Sequence, residues 1–111
     1  MPESDRAGSS PPFRIFETRQ FSKDVASFGT AVRVRLEAKL RDHIYPILRE
    51  NPSWGPNIKR LRNWEPPTWR YRAGEWRFFY EIDATERIVF LVAADHRKQA
   101  YRLMEPPPAG T

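Results

Sequence analysis

Three arginines in the second half of the chain are spaced so that they could bind phosphate. The segment WRYR, residues 69–72, is followed across Gly74-Glu75 by Arg77. Because side chains alternate between the faces of a β-strand, Arg70 and Arg72 share a face, and a turn of two or four residues sets Arg77 directly opposite Arg72. Guanidinium groups stay protonated and present a planar donor fork that matches phosphate oxygens. The pattern therefore predicts an anion-binding face.

Electrostatic repulsion within this face supports the same interpretation. Like charges directly opposite each other on a sheet destabilise it by up to about 1 kcal/mol per pair, and a bound anion would relieve that cost. The alternative is a solvated face on which each arginine pairs with a carboxylate. The carboxylates available for such pairs are Glu65, Glu75 and Glu81.

The basic charge is concentrated around these arginines. The stretch Asn57 to Arg77 carries six basic and two acidic side chains, a net charge of +4, in a chain whose total is +5 and whose pI is near 10.0. Such a balance indicates a polyanionic partner, either nucleic acid or an acidic protein. Three further cations precede the arginine pattern and either extend its field or lie in a solvated loop: Lys59, Arg60 and Arg62.

A second polar cluster follows the last predicted strand. It contains His96, Arg97, Lys98 and Tyr101. Histidine can exchange a proton near neutral pH, and tyrosine can stack on a base or donate to a phosphate. The alternatives are a hydrogen-bonded histidine at a strand end and a core tyrosine with its hydroxyl at the rim. We interpret Asp95 as a turn or capping residue and His43 as structural.

Several classes of protein are disfavoured by composition. The chain has no Cys and only two His, which argues against disulfides, a metal centre and any cofactor that needs thiolate ligands. No apolar run approaches the roughly 18 residues that span a bilayer, and the N-terminus is polar. We therefore expect a cytoplasmic protein without cofactor or membrane association.

The helical half of the chain is predicted from apolar periodicity. We expect one domain over residues 13–104 between disordered tails at 1–12 and 105–111, both rich in Pro, Gly and Ser. A short strand near Phe13 to Glu17 should precede a first helix capped by Thr18. A second, antiparallel helix begins after Gly29, and Pro46 is expected to kink or end it. Its predicted buried face consists of Val32, Leu36, Leu40, Ile44 and Ile47.

The remainder of the domain has the period of β-strands. Three strands are predicted at Thr68 to Ala73, Trp76 to Ile82 and Arg87 to Ala94, joined by short turns into an antiparallel meander. The last two are apolar on both faces, so helices should cover one side of the sheet and another segment part of the other. The prediction is an α+β fold with two antiparallel helices packed on an antiparallel sheet.

The order of elements and three motifs resemble the RelE/ParE superfamily of toxins. IKRLRN, from Ile58, resembles the family's Lys-x-Leu lead-in to the sheet. WRYRAGEWRFFYEID, from Trp69, resembles its Tyr-Arg-x-Arg-x-Gly-x-x-Arg-x-x-Tyr hairpin, and ADHRKQAYR, from Ala94, resembles its closing His-Arg-x-x-x-Tyr. The resemblance covers nearly the whole predicted domain.

That resemblance implies a function and a set of site residues. RelE-type members cleave mRNA in the ribosomal A site, where the 2′-hydroxyl attacks the adjacent phosphate. Carried over to this chain, Arg77 and Arg97 would bind the scissile phosphate, Arg72 would hold the RNA backbone and Tyr101 would orient a base. Arg70 completes the implied catalytic set, and Lys59, Arg60, Arg62 and Lys98 would contact RNA.

One departure from the RelE pattern leaves the chemistry open. RelE-type enzymes tend to have lysines on the strand where this chain has Arg70 and Arg72, and arginine is a poor proton acceptor. A general base would then have to be His96 or a ribosomal group. The alternatives are a ParE-like toxin that inhibits DNA gyrase and a degenerate member that only binds its antitoxin. In each case the implied partner is a small antitoxin protein, and operator DNA would be bound only through the antitoxin complex.

Overall fold

The computed structural model describes residues 11–96 and contains a five-stranded mixed sheet with helices on one face. The strands are β1 (Arg14–Glu17), β2 (Ile58–Arg60), β3 (Trp69–Ala73), β4 (Trp76–Asp83) and β5 (Ile88–His96). The helices are α1 (Arg19–Ser27), α2 (Thr30–Lys39) and α3 (Tyr45–Glu50), with a π-helical turn at Leu40–Ile44 between the last two. The predicted α+β fold is confirmed.

Thr18 caps the first helix, as predicted, and also bonds that helix to the sheet. Its hydroxyl accepts from the backbone N–H of Phe21 at 3.3 Å and donates to the carbonyl of Leu91 in β5 at 2.7 Å. The cap satisfies a backbone donor that has no partner within the helix. At the other end of α1, Gly29 has φ +96°, a conformation that side chains disfavour, and α2 starts at the next residue.

The second helical segment continues past Pro46, so of the two predicted outcomes, a kink or an end, the end does not occur. A π-helical turn lies immediately before it, in which the N–H of Tyr45 bonds the carbonyl of Leu40. Helical structure then resumes, with Pro46 in the first turn of α3, where its missing N–H is not needed. The wider turn also shifts the buried face. Tyr45 and Leu48 are buried, whereas Ile47 is exposed.

The sheet order is β1-β5-β4-β3-β2, with β1 parallel to β5 and every other pair antiparallel. The three predicted strands of the meander are confirmed. The sequence pattern does not predict β2, because Ile58–Arg60 resembles only a lead-in to the sheet. In the structure it pairs with β3 and forms one edge of the sheet.

Each face of the sheet is covered differently. The helices pack on one face, here called the helix face, over a core that includes Phe21, Leu40 and Phe78. The opposite face, here called the open face, carries a smaller apolar cluster in which Leu61 and Trp64 lie over Phe79. The prediction that a second segment covers part of the other face is confirmed.

A bulge interrupts the pairing of β5 with β4. Phe79 pairs with Ala93 but the next residue, Tyr80, pairs with Leu91, so Val92 is an extra residue in β5. An extra residue reverses the alternation of all side chains that follow it in the strand. The end of β5 therefore presents the opposite set of side chains to each face from the set that simple alternation predicts.

None of the helices within residues 11–96 is both long enough and apolar enough to cross a bilayer.

Candidate functional site

The predicted opposition of two arginines is present at the β3–β4 turn. Ala73 pairs with Trp76, which leaves Gly74 and Glu75 as a two-residue turn, and Arg72 lies directly opposite Arg77. Gly74 supplies the positive φ of +61° that a tight hairpin turn uses. Both arginines lie on the open face, since their neighbours in the strands enter the core under the helices.

Arg70 lies on the same face, two residues from Arg72, and is flanked by a lysine. It pairs directly with Phe79 on β4 and with Lys59 on β2. Its side chain is half-buried, and its Nε atom is buried without a hydrogen-bond partner among the described residues. A buried donor of this kind is costly unless something accepts from it, and anionic oxygens are strong acceptors for guanidinium.

The pKa of Arg70 reflects its burial and its closeness to other cations. Burial lowers its pKa from the usual value, and the like charges of Arg77 and Arg72 lower it further. The group remains charged at any physiological pH. Four cations therefore lie together on the open face in two adjacent rows, which we call the basic face: Lys59, Arg70, Arg72 and Arg77.

Arg77 is held in place by the turn that precedes it. Its Nη1 donates to the carbonyls of Gly74 at 3.0 Å and Trp76 at 3.1 Å. These bonds fix one side of the guanidinium against the backbone. Arg72, across the turn, is exposed. One arginine is thus preorganised by its own hairpin, which reduces the cost of ordering it when an anion binds.

The structure separates His96 from the basic face. β5 extends to His96, whose direct partner on β4 is Trp76. The two rings are 4.9 Å apart between centroids at an interplanar angle of 81°, and Trp76 in turn contacts Phe28 at 4.6 Å. His96 therefore lies on the helix face, with the sheet between its ring and the side chains of the basic face.

Asp95, and not His96, lies on the open face. It is a strand residue paired directly with Arg77, so its interpretation as a turn or capping residue is wrong. β5 continues through Asp95 because its end still pairs with β4, and Asp95 lies on the open face because the bulge at Val92 shifts the alternation by one residue. Asp95 thus adds a carboxylate to the row that contains Arg72 and Arg77.

The other cations predicted to contact RNA, on β2 and in the loop after it, do not all lie on the same face of the sheet. Arg60 pairs with Trp69 and its guanidinium carbon lies 5.9 Å from the centre of that ring, so it belongs to the helix side of the sheet edge. Arg62 is exposed in the loop that follows β2. Of these three cations, Lys59 is the one that joins the basic face. Arg97, Lys98 and Tyr101 lie outside the described residues.

The aromatic cover beside Arg70 was not singled out from the sequence. Trp64 stacks on Phe79 with 6.2 Å between ring centroids and an interplanar angle of 11°, and Leu61 is buried in the same cluster. Alternation along β4 was a usable signal, since Phe79 must share a face with Arg77. The position of Trp64 depends on the loop path and had no such signal.

No group of three or more His, Cys, Asp or Glu side chains within residues 11–96 is arranged to hold a metal ion. The described part of the open face presents cations, one carboxylate in line with them and an adjacent aromatic cluster.

Comparison with known proteins identifies the family. Residues 15–101 match the family model described as the ParE toxin of a type II toxin–antitoxin system, parDE. No curated protein sequence matches this chain. The match spans the sheet, the helices and the closing motif.

Solved structures of RelE proteins share the fold. The RelBE2 toxin–antitoxin complex from Mycobacterium tuberculosis is 22% identical over 80% of this chain and 95% of that chain, with a TM-score of 0.62. A mutant of the Escherichia coli toxin RelE in the free state is 19% identical over 83% and 90%, with a TM-score of 0.57. The archaeal RelE–RelB complex from Pyrococcus horikoshii is 21% identical over 78% and 96%, with a TM-score of 0.53. The chain therefore belongs to the ParE toxin family of the RelE/ParE superfamily, the toxins of type II toxin–antitoxin systems.

Proposed function

We propose that this toxin cleaves mRNA in the ribosomal A site and so inhibits translation. The observation that carries the proposal is the basic face, in which Arg72 and Arg77 are directly opposed and Arg70 has a buried Nε without a partner among the described residues. Such a face gains stability when a phosphate binds, because the anion both relieves repulsion and accepts from the guanidinium groups.

The reaction itself requires little beyond positioning and charge stabilisation. In cleavage by 2′-hydroxyl attack, negative charge develops on the phosphate oxygens as the new bond forms. Preorganised donors aimed at that charge are the main source of rate enhancement in such reactions. Arg77, fixed against its turn, would hold the scissile phosphate, and Arg72 and Arg70 would hold the adjoining backbone. Arg97 and Tyr101 are proposed partners in this site from the family resemblance.

Partners follow from the same proposal. The Mycobacterium tuberculosis and Pyrococcus horikoshii structures are toxin–antitoxin complexes. We infer a cognate antitoxin that neutralises the basic face with acidic side chains, and operator DNA bound only through that complex. The ribosome and its mRNA are the cellular targets, which makes the cytoplasm the site of action.

The test is induction of the toxin in a bacterial host, followed by primer extension on a translated message. The Arg77→Ala, Arg97→Ala variant removes two phosphate ligands and should abolish the cleavage products that the wild type creates within codons. A matched control is the Arg19→Ala, Arg35→Ala variant, which removes the same charge from exposed positions on the helices. The control should cleave as the wild type does. An intact message in cells arrested by the wild type would refute the proposal.

A second candidate function is inhibition of DNA gyrase. The match to the ParE toxin model favours it, since the ParE branch shares this fold and acts by binding gyrase. Purified toxin added to a gyrase supercoiling assay separates the two candidates. Loss of supercoiling with an intact message supports gyrase inhibition. If the wild type neither cleaves nor inhibits, the protein is a degenerate member that only binds its antitoxin.

A further inference from the structure

The bulge in β5 decides which of two titratable side chains faces the arginines. β5 buries Val89 and Leu91 under the helices and then Ala94, a step of three residues where an uninterrupted strand would have two. Without the extra Val92, alternation would turn His96 toward the open face and Asp95 toward the helices. Bulges are common beside active sites, where they redirect a side chain. In this strand the bulge exchanges a histidine for a carboxylate.

Asp95 ends a row of charged groups that crosses three strands. Arg72 on β3 lies opposite Arg77 on β4, which lies opposite Asp95 on β5. Adjacent strands are about 4.8 Å apart, so the row spans about 10 Å. Its order is cation, cation, carboxylate. In RNA the 2′-hydroxyl lies beside the phosphate that it attacks, so a phosphate bound by the arginines would bring that hydroxyl close to the end of the row.

The carboxylate of Asp95 is bonded to its own strand, and the residue lies beside a groove at the edge of the sheet. Its Oδ1 accepts from the backbone N–H of His96 at 2.8 Å. It lines a groove of about 330 Å³ between α1 and β5, at the point where β1 has ended. The other carboxylate in that groove is Asp24, whose oxygens accept from the N–H of Ala94 at 3.0 Å and from Gln20 at 2.8 Å. Asp24 thus accepts from the free edge of β5, whereas Asp95 lies in line with the arginines.

We propose that Asp95 is the general base of the cleavage reaction, an inference that rests on the proposed function. Its carboxylate takes the proton of the ribose 2′-hydroxyl as the bond from O2′ to phosphorus forms. The bond from phosphorus to O5′ breaks, and the departing 5′-oxygen takes a proton from water. The products are a 2′,3′-cyclic phosphate and a 5′-hydroxyl end. Arg77 stabilises the phosphate while Asp95 removes the proton beside it.

The chemistry of the row explains why a carboxylate serves as the base. Arginine keeps its proton and cannot accept another, whereas an aspartate is ionised at neutral pH and can. Among residues 11–96, the charged groups next to Asp95 include Arg77, its partner on β4, and Asp24 of α1, which lines the same groove, whereas the His96 ring lies on the other face of the strand. A positioned general base typically contributes a factor of about 10²–10⁴ to the rate.

The experiment measures single-turnover cleavage by purified toxin on ribosomes that hold a short mRNA, across a range of pH. Asp95→Asn keeps an oxygen that can accept from the His96 N–H, and it should cleave about 100-fold more slowly at saturating toxin. Affinity for the ribosome complex should be equal or higher, because a negative charge has been removed. The rate of the wild type should fall toward acid pH as Asp95 is protonated, and this acid limb should vanish in Asp95→Asn.

Two further variants keep the test decisive. Glu81→Gln removes a carboxylate from the same face, where Glu81 pairs with Phe90, and should retain both rate and acid limb. Asp95→Glu retains a carboxylate and should keep the acid limb at a reduced rate. Asp95→Asn cleaving at the wild-type rate would overturn the role of Asp95 alone, as would weaker binding with an unchanged rate at saturation. A wild type that does not cleave would overturn the proposed function and this inference together.

Discussion

Phe78 and Phe79 are neighbours in β4, yet they point to opposite faces of the sheet and enter different clusters. Phe78 is 0% exposed in the core under the helices, among residues contributed by every helix and by most strands. Phe79 is 1% exposed, but its cluster contains one other buried residue, Leu61, and a few partly buried neighbours. The two rings are thus equally buried but have very different surroundings.

The contrast extends beyond these two rings. On the helix face polar groups are engaged within the chain, as when the Tyr80 hydroxyl donates to the carbonyl of Pro52 at 2.6 Å. On the open face, Arg72 and Arg77 oppose each other and Arg70 has an unsatisfied Nε among the described residues. One face is arranged to hold the fold together, and the other keeps interactions that a bound anion would complete. Substitutions should therefore have opposite signatures on the two faces.

The largest effect on stability should come from the neighbouring phenylalanines. Phe78→Ala should lower the free energy of unfolding by about 3–5 kcal/mol, since a cavity opens where helices and sheet cannot collapse around it. Phe79→Ala should cost less, because the loop that carries Leu61 and Trp64 can settle into the space. Urea denaturation of both variants measures the difference. Equal losses would mean that the open-face cluster is as rigid as the main core.

A smaller loss is expected from removing one buried hydroxyl. Tyr80→Phe leaves the carbonyl of Pro52 without its donor and should lower the free energy of unfolding by about 1–3 kcal/mol. Tyr71→Phe is the matched control on the same face, since Tyr71 makes no side-chain hydrogen bond among the described residues and should change stability little. Similar values for the two variants would contradict the importance of the Tyr80 bond.

The same face should make the fold sensitive to alkali. Burial raises the pKa of Tyr80, and burial together with the hydrogen bond to Glu17 raises the pKa of Tyr45. The folded state keeps these phenols neutral, so its stability is fully present below about pH 10, where unfolded tyrosine ionises, and declines above it. Unfolding midpoints measured from pH 8 upward should show that decline. Tyr80→Phe should reduce its steepness, and an unchanged slope would count against burial of Tyr80 as a cause of the decline.

The smallest effect, and one of opposite sign, is expected on the open face. Arg72→Ala removes a charge directly opposite Arg77 and should leave the free energy of unfolding unchanged or raise it by up to about 1 kcal/mol. Adding phosphate should stabilise the wild type more than the variant in thermal unfolding. A clear destabilisation by Arg72→Ala would show that the basic face supports the fold.

The alternation of side chains along β-strands is the most informative signal for predicting this fold from its sequence. The pairing of Arg72 with Arg77 followed from period-two spacing around a short turn, and it is present. β2 was missed because three residues, two of them cationic, give no recognisable strand pattern. The faces of Asp95 and His96 could not be predicted, because a bulge is set by the pairing of two strands and leaves no mark on either sequence alone.

The Arg72→Ala, Arg77→Ala variant tests most directly the claim that the open face serves function and the helix face serves stability. On one preparation, the free energy of unfolding and the cleavage of ribosome-bound mRNA should both be measured. We predict stability close to that of the wild type, because the relieved repulsion offsets the two bonds that Arg77 donates to its turn. Cleavage should fall by at least about 100-fold, since removing a single preorganised charge-stabilising donor can cost that much. Cleavage at the wild-type rate, or loss of cleavage only through unfolding, would contradict the account.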